Sequence, residues 1–158
     1  MKKIATAKGQ EILVDDEDFE LVNQWTWRLI GKGYAARSVY DASKPSKRTN
    51  QYLHRMILGL SDGDGSVVDH INGSRLDNRR VNLRLCTIRQ NGWNSGRRSH
   101  NVSGFKGVFL NKRTRKWTAN IRVNGKQKYL GQFDSPEDAH AAYCHAAQIH
   151  FGEYARSN

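Results

Sequence analysis

The feature that most limits how this chain can fold is a polar stretch, residues 96–104, between two segments with different patterns. The stretch is rich in Arg, Ser and Asn and begins and ends with glycine, which is the composition of a linker. A chain of 158 residues can form two small domains, each with a modest hydrophobic core. We therefore expect an α+β chain with a first domain over residues 1–95, a linker over 96–104 and a second domain over 105–158.

Charge is distributed unevenly along the chain. The formal net charge is +11, and the segment from His70 to Phe133 holds 15 Lys and Arg residues against one acid. Six acidic residues lie between positions 11 and 20. A strongly basic stretch favours a polyanionic partner, with nucleic acid the leading candidate. We expect the basic stretch to face phosphate and the acidic N-terminal segment to lie away from it.

Several classes of protein are disfavoured by composition. The two cysteines, Cys86 and Cys144, have no CxxC spacing, so neither a disulfide framework nor a cysteine-rich zinc site is indicated. No apolar run approaches the roughly 18 residues of a membrane span, and the start of the chain lacks the apolar stretch of a signal peptide. The sequence therefore predicts a cytoplasmic protein that does not bind membranes.

Short apolar or aromatic runs at residues 11–14, 21–30 and 34–40 predict strands, separated by glycine-containing turns. The polar segment 43–51 is typical of a loop, and residues 52–60 favour a helix. After the glycine-rich turn 61–65, residues 67–71 predict a short strand that carries Asp69 and His70 at its end. The dipeptide Asp77-Asn78 has the composition of a turn.

One stretch combines Asp69-His70 with an asparagine twelve residues after the histidine, Asn82, and another nine residues further on, Asn91. With these spacings the region 52–95 resembles the HNH endonuclease family, including the Leu53-His54-Arg55 element found in phage and homing-type members. The resemblance implies a ββα-metal fold around one divalent ion. It also implies a phage-borne or mobile gene and, in that case, the cytoplasm of a bacterial host.

The chemistry of phosphodiester hydrolysis gives these residue types distinct roles. His70 titrates near neutral pH and can act as the general base that takes a proton from water. Asp69 offers a carboxylate oxygen and Asn91 an amide oxygen, which suit a hard cation such as Mg²⁺ or Mn²⁺. The resemblance implies that Asn82 holds the loop and orients His70. His54 and Arg55 are candidates for contacting phosphate or supporting the motif, and a purely structural role is an equal alternative.

The segment after residue 103 predicts three short strands and a helix. Trp117, Ala119, Ile121 and Val123 alternate onto one face of the middle strand, and Asn124-Gly125 favours a type I′ hairpin. Ser135 followed by proline and two acids predicts the start of a helix. The helix should pack on the apolar face and leave the polar face exposed.

This region resembles an AP2 domain over residues 103–158, which implies a three-stranded antiparallel sheet packed on one helix, with its exposed face in the DNA major groove. Lys106 and Phe109 stand where arginines are common in plant members, so base specificity cannot be transferred. Arg122 and Gln127 have donors that can read base edges. The basic residues expected to hold phosphates are Lys106, Lys112, Arg113 and Arg115. The predicted DNA-binding residues are Lys106, Phe109, Asn111, Arg113, Arg115, Asn120, Arg122, Gln127 and Tyr129.

Together these features predict a site-directed endonuclease that acts on double-stranded DNA. A single metal centre can attack only one phosphate at a time, so we expect a mainly monomeric enzyme that nicks one strand. One alternative is a DNA-binding regulator in which the HNH motif survives only as an inactive scaffold. A second, an RNA-binding or nucleoid protein, fits less well because A-form RNA does not admit a sheet to its major groove.

Overall fold

The computed structural model describes residues 1–61, 63–97 and 101–156. The chain divides into two compact units, an N-terminal unit over Met1–Ile88 and a C-terminal unit over Arg89–Asn158. The expected linker 96–104 lies in the second of these, and its residues 98–100 are outside the described part. Within the described residues, no helix has the length and apolar character needed to cross a membrane.

The N-terminal unit consists of small antiparallel sheets and short helices. Strand β1 pairs with β2, the strands β3, β4 and β5 form a three-stranded sheet, and β6 pairs with β7. The elements are β1 (Lys2–Ala5), β2 (Glu11–Val14), α1 (Asp16–Asn23), β3 (Arg28–Ile30), β4 (Tyr34–Tyr40), β5 (Arg48–Tyr52), α2 (Leu53–Ile57), β6 (Val67–His70) and β7 (Leu83–Cys86).

One hydrophobic core joins these sheets and helices. Ile12, Val14, Val22, Trp27 and Leu53 are completely buried in it, and Val68 and Leu83 join them from β6 and β7. The indole Nε1 of Trp27 donates a hydrogen bond to the Val22 carbonyl at 2.9 Å, so the largest buried side chain also satisfies its polar atom. The core therefore ties the motif-bearing hairpin to elements far away in sequence.

Three expectations for this unit were wrong in part. The run 21–30, expected as a strand, begins in α1 and becomes extended only in β3, because its acidic first turn at Asp16, Glu17 and Asp18 starts a helix. The expected loop 43–51 ends in β5, which pairs with β4 despite its polar sequence. The expected helix 52–60 is reduced to α2. The strands at residues 11–14, 34–40 and 67–70 are confirmed.

In the C-terminal unit, three strands form an antiparallel sheet and one long helix packs on it. The elements are α3 (Ile88–Trp93), which begins at the last residue of the first unit, then β8 (Val108–Asn111), β9 (Lys116–Val123), β10 (Lys126–Phe133) and α4 (Pro136–Phe151). The middle strand is β9, and Ala119 and Ile121 from it are buried against Ala139, Tyr143 and Ala147 of α4. The expected sheet and helix are confirmed.

Local chemistry accounts for the boundaries of these elements. Asn124 and Gly125 have φ values of 51° and 78°, so the two-residue connection between β9 and β10 is the expected type I′ turn. Ser135 accepts a hydrogen bond from the Asp138 backbone N–H at 3.0 Å and caps α4, which starts at Pro136. Both features were predicted from residue type alone.

Gly107, which precedes β8, provides a test of how tightly the helix and sheet pack. A Cβ added there would lie 2.2 Å from Cδ2 of Tyr143 and 2.8 Å from the backbone oxygen of Asn120, and φ is +75°. Gly104 has a similar φ of +80° with nothing within 4 Å, so Gly104→Ala is a matched control. Both substitutions should cost about 1–2 kcal/mol for the left-handed backbone. Gly107→Ala should cost about 1–3 kcal/mol more through overpacking.

Thermal unfolding of the two variants, followed by circular dichroism, measures this difference. We expect Gly107→Ala to melt several degrees below Gly104→Ala. Equal melting temperatures would contradict the close approach of the Gly107 backbone to Tyr143.

Candidate functional site

The candidate site of the N-terminal unit lies at the end of β6, where Asp69 and His70 are buried. Their relative exposures are 5% and 4%, although both are polar. In the antiparallel hairpin Asp69 is opposite Arg84 and His70 is opposite Leu83. Because successive side chains of a strand point to opposite faces, the two residues have different neighbours.

His70 lies among aromatic rings and one buried amide. Its ring centroid is 5.3 Å from that of His54 and 5.9 Å from that of Tyr34, and its Nε2 is 3.4 Å from Oδ1 of Asn78. Burial lowers the pKa of His70, and the contact with Asn78 and the charge of Asp69 oppose that change. The lowered pKa favours the neutral ring, which is the form that can accept a proton.

His54 is a second buried imidazole in the same cluster. Burial, together with the nearby charges of His70 and Arg55, lowers the pKa of His54 to about 3. Its Nδ1 is buried and has no hydrogen-bond partner in the described part of the chain. Tyr34 and Tyr52 contact its ring, with centroids 5.5 Å away in both cases. His54 is therefore a neutral member of an aromatic cluster beside His70.

Arg55, the neighbour of His54, supports the glycine-rich loop that leads into β6. Its guanidinium donates to the carbonyl oxygens of Ser61 and Ser66, the latter at 2.7 Å, and pairs with Asp64 at 2.6 Å. Of the two roles left open by the sequence, these contacts fit the structural one. The loop enters β6 one residue after Ser66.

Asn82 closes the loop between β6 and β7. Its Oδ1 accepts from the Asn72 backbone N–H at 2.9 Å, and its Nδ2 donates to the Asp77 carbonyl at 2.7 Å. The Asn82 carbonyl also accepts from the Ile71 N–H at 2.9 Å. One buried asparagine thus joins both ends of the loop that follows His70.

The interpretation of Asp77-Asn78 as simple turn material was wrong. Both side chains are buried, and Asp77 accepts from both Arg79 and Asn72 at 2.7–2.8 Å. The hydrogen bond from Arg79 lowers the pKa of Asp77 and keeps the carboxylate charged. Asn78 donates to the Arg75 carbonyl at 3.2 Å and presents its oxygen to His70. The dipeptide is therefore part of the site.

Residues outside the motif hold this loop from the N-terminal side. The Leu13 N–H donates to the Leu76 carbonyl and the Asn78 N–H donates to the Leu13 carbonyl, both at 2.8 Å. Asp15 accepts from the Arg80 N–H at 2.7 Å, and Asp18 pairs with the Arg80 guanidinium through two hydrogen bonds. The acidic N-terminal segment therefore neutralises an arginine of the motif.

Asp69 forms an ion pair with its cross-strand neighbour. The Nε and Nη2 atoms of Arg84 lie 3.0 and 2.7 Å from the same oxygen of Asp69, Oδ2. Sequence reasoning did not identify Arg84. The sequence spacing alone does not indicate this ion pair. It follows from the pairing register of β6 and β7, which places Arg84 opposite Asp69.

The carboxylate beside His70 fits a hard divalent cation, but an arginine already compensates its charge. Asp69 supplies a carboxylate, which such an ion prefers, but the Arg84 guanidinium already lies on it. In the described ranges, 1–61, 63–97 and 101–156, no three His, Cys, Asp or Glu residues form a metal-binding group. An ion at Asp69 would need amide, water or phosphate oxygens as its remaining ligands. Asn91, the expected amide ligand, lies on α3 in the C-terminal unit.

The C-terminal unit presents a polar sheet surface opposite α4, here called the outer face. The pairing of the strands aligns Phe109 with Thr118 and Asn120 with Tyr129, and Arg122 with Gln127 at the hairpin end. These residues, together with Asn111 and Gln132, define the outer face. Six of the predicted DNA-binding residues therefore share one surface: Phe109, Asn111, Asn120, Arg122, Gln127 and Tyr129.

Other predicted DNA-binding residues have different surroundings. Lys106 donates from Nζ to the Trp93 carbonyl at 2.6 Å, and burial lowers the pKa of this lysine to about 8. This position argues against the expected phosphate contact for Lys106. Asn111, at the end of the outer face, also caps the β8–β9 turn by accepting from the Arg113 and Thr114 N–H groups. Arg113 and Arg115 are exposed on that turn.

Comparisons with known proteins identify the N-terminal motif. The model of the HNH endonuclease family matches residues 51–93. An uncharacterised HNH endonuclease of Acanthamoeba polyphaga mimivirus is 27% identical over 155 residues, 98% of this chain and 78% of the relative. Protein 3.8 of Escherichia phage T7 is 33% identical over 92 residues, 58% of this chain and 75% of the relative. No solved structure matches the chain.

The buried state of His54 predicts how stability depends on pH. Its pKa of about 3 in the folded chain lies below the ordinary value of 6.5, so the unfolded chain binds more protons below pH 6.5. The stabilisation is fully present above pH 6.5 and should be lost progressively as the pH falls towards 3. His54→Gln should therefore flatten the fall in stability between pH 7 and 5, where few carboxylates titrate.

Urea unfolding midpoints at pH 7, 6 and 5 measure this dependence. The quantity to compare between variants is the change of the midpoint with pH, not the midpoint at one pH. His145→Gln, which alters an exposed histidine of α4, is the matched control and should keep the wild-type slope. An unchanged slope in His54→Gln would show that His54 is not held neutral in the folded chain.

Proposed function

We propose that this chain, whose residues 51–93 match the model of the HNH endonuclease family, hydrolyses phosphodiester bonds of double-stranded DNA, one strand at a time, with the help of one divalent ion. The observation that supports this proposal best is the burial of Asp69 and His70 side by side at the end of β6. Burying a carboxylate and an imidazole lowers the stability of the fold, so their burial together favours a role in chemistry over a role in folding.

In this proposal His70 takes the proton from the attacking water. The neutral ring favoured by burial has a lone pair for that proton, and Asn78 at 3.4 Å from Nε2 limits the ring's orientation. Asn82 acts one step away, by holding the loop that follows His70 through hydrogen bonds to Asn72 and Asp77. His54 and Tyr34 pack against the ring and restrict the approach of water from their side.

Asp69 and Asn91 are the proposed holders of Mg²⁺ or Mn²⁺, and the bound ion would neutralise charge on the phosphate and the departing oxygen. The Arg84 guanidinium keeps the Asp69 carboxylate in position across the hairpin. Its positive charge also opposes a second cation on the same carboxylate. We therefore expect weak binding of the ion by the free protein and stronger binding when a phosphate is present.

We further propose that the C-terminal unit, which resembles an AP2 domain, binds the DNA with its outer face and so directs cutting. Three observations support this role. Its sheet leaves a polar face uncovered by α4, the exposed arginines at positions 113 and 115 lie beside that face, and residues 103–133 contain eight Lys and Arg and no acid. Such a basic surface attracts duplex phosphates.

The general-base role predicts that His70→Ala abolishes cutting and leaves DNA affinity within about twofold, because removing the base affects the chemical step and not phosphate contacts. The measurement is conversion of supercoiled plasmid carrying the chain's own genomic locus, in Mg²⁺ or Mn²⁺, with affinity measured separately by gel shift. Wild-type protein should form open circle well before linear DNA.

The exposed His145 offers the matched control, and His145→Ala should cut like the wild type. Full cleavage by His70→Ala would remove that residue as the base. DNA binding without any cleavage by the wild-type chain, in either metal, would support the alternative of a regulator with an inactive scaffold.

The metal-ligand roles predict that Asp69→Ala and Asn91→Ala each raise the Mn²⁺ concentration that gives half-maximal cutting, by roughly tenfold or more, since each removes a direct oxygen ligand. Calorimetric titration of Mn²⁺ into a protein–DNA complex of the His70→Ala background gives a readout independent of activity. Asp134→Ala removes an exposed carboxylate and is the control. Unchanged metal titrations would exclude both residues as ligands.

A further inference from the structure

We infer that the outer face of the C-terminal sheet selects A·T base pairs over G·C base pairs, an inference that rests on the proposed role of this face in DNA binding. The inference starts from a groove of about 420 Å³ on this face. The groove is lined by Phe109, Asn111, Thr118, Asn120, Gln127, Tyr129 and Gln132.

The lining contains amides, hydroxyls and aromatic rings but no lysine or arginine. In the major groove guanine is read chiefly by Arg and Lys, adenine by the paired donor and acceptor of Asn or Gln, and the thymine methyl by apolar contact. Asn120 and Gln127 offer the amides, and Phe109 and the methyl of Thr118 offer apolar contacts. The chemistry of the groove therefore matches an A·T pair on both of its bases.

Two buried polar atoms of residues that line the groove have no partner in the described structure. Oδ1 of Asn120 and Oγ1 of Thr118 are both buried and make no hydrogen bond. A buried polar atom without a partner is costly, and a ligand that supplies the partner recovers that cost. An amide oxygen accepts equally from adenine N6 or cytosine N4, but only adenine places the N7 acceptor beside that donor, so the two-bond contact of an amide selects adenine. Asn120 would have to turn its buried oxygen outwards to make this contact, whereas Gln127 is already exposed.

Basic residues lie at the two ends of the outer face instead of at its centre. Arg122 is exposed beside Gln127 at the hairpin end, and Lys112, Arg113 and Arg115 are exposed on the turn at the other end. This arrangement suits phosphates on both sides of a base-reading centre. It also separates two measurable effects, because base contacts determine preference whereas phosphate contacts determine salt dependence.

The experiment uses the full-length His70→Ala chain, which should bind without cutting, and a library of random duplexes. Selected duplexes should be enriched in a run of A·T pairs. Affinity for a selected duplex should exceed that for the same duplex with G·C pairs in the run by about tenfold or more. Asn120→Ala and Gln127→Ala should each reduce this ratio, while the slope of log affinity against log salt stays unchanged.

Gln127 is exposed, so its replacement leaves the fold intact even if Asn120→Ala does not. Gln148→Ala, an exposed amide of α4, is the matched control and should keep the full ratio. Arg113→Ala should weaken the binding of both duplexes equally and reduce the slope of log affinity against log salt by about one.

Tight binding with no A·T preference, or a preference that survives Asn120→Ala and Gln127→Ala, would overturn the inference and leave the proposed DNA-binding role in place. Absence of duplex binding by the full chain would overturn both.

Discussion

Burial of Asp69 and His70 is the constraint on which the rest of the N-terminal unit depends, because polar side chains removed from water need partners. The partners come from the opposite strand and from the loop after His70: Arg84 pairs with Asp69, and Asn78 contacts His70. Asn82 joins the two ends of that loop, and backbone hydrogen bonds to Leu13 hold it from outside. A change at any of these positions would therefore disturb the surroundings of Asp69 or His70.

The ion pair between Asp69 and Arg84 has two opposed consequences. It offsets the cost of a buried carboxylate and fixes the direction of that side chain, which favours a preorganised site. It also leaves less negative charge for a cation, since the carboxylate is already compensated. In the proposed reaction both requirements are met when the ion binds together with the DNA phosphate, whose charge adds to that of Asp69. The proposed site is then stable without DNA, and the bound phosphate supplies the remaining negative charge.

The sequence predicted those parts of the structure that local chemistry determines. Strand β6, the turn at Asn124-Gly125 and the cap at Ser135 depend on residues close in sequence, and all three are confirmed. Contacts across long separations were not predictable. The pairing of Arg80 with Asp18 spans 62 residues, and Arg84 lies near Asp69 only through the strand register. Polar β5 was missed because its pairing with β4, not its own pattern, makes it a strand.

Ion pairs in the motif affect where the chain carries uncompensated positive charge. Around the loop, Arg79 is paired with Asp77, Arg80 with Asp18 and Arg84 with Asp69, so three arginines of the motif are locally compensated. Residues 103–133 contain no acid, and Arg113 and Arg115 are exposed there. Net positive charge is thus concentrated in the C-terminal unit, while Arg79, Arg80 and Arg84 of the N-terminal unit hold carboxylates. In the proposed mode of action, this separation would let surface arginines set the affinity for DNA without altering the proposed catalytic residues.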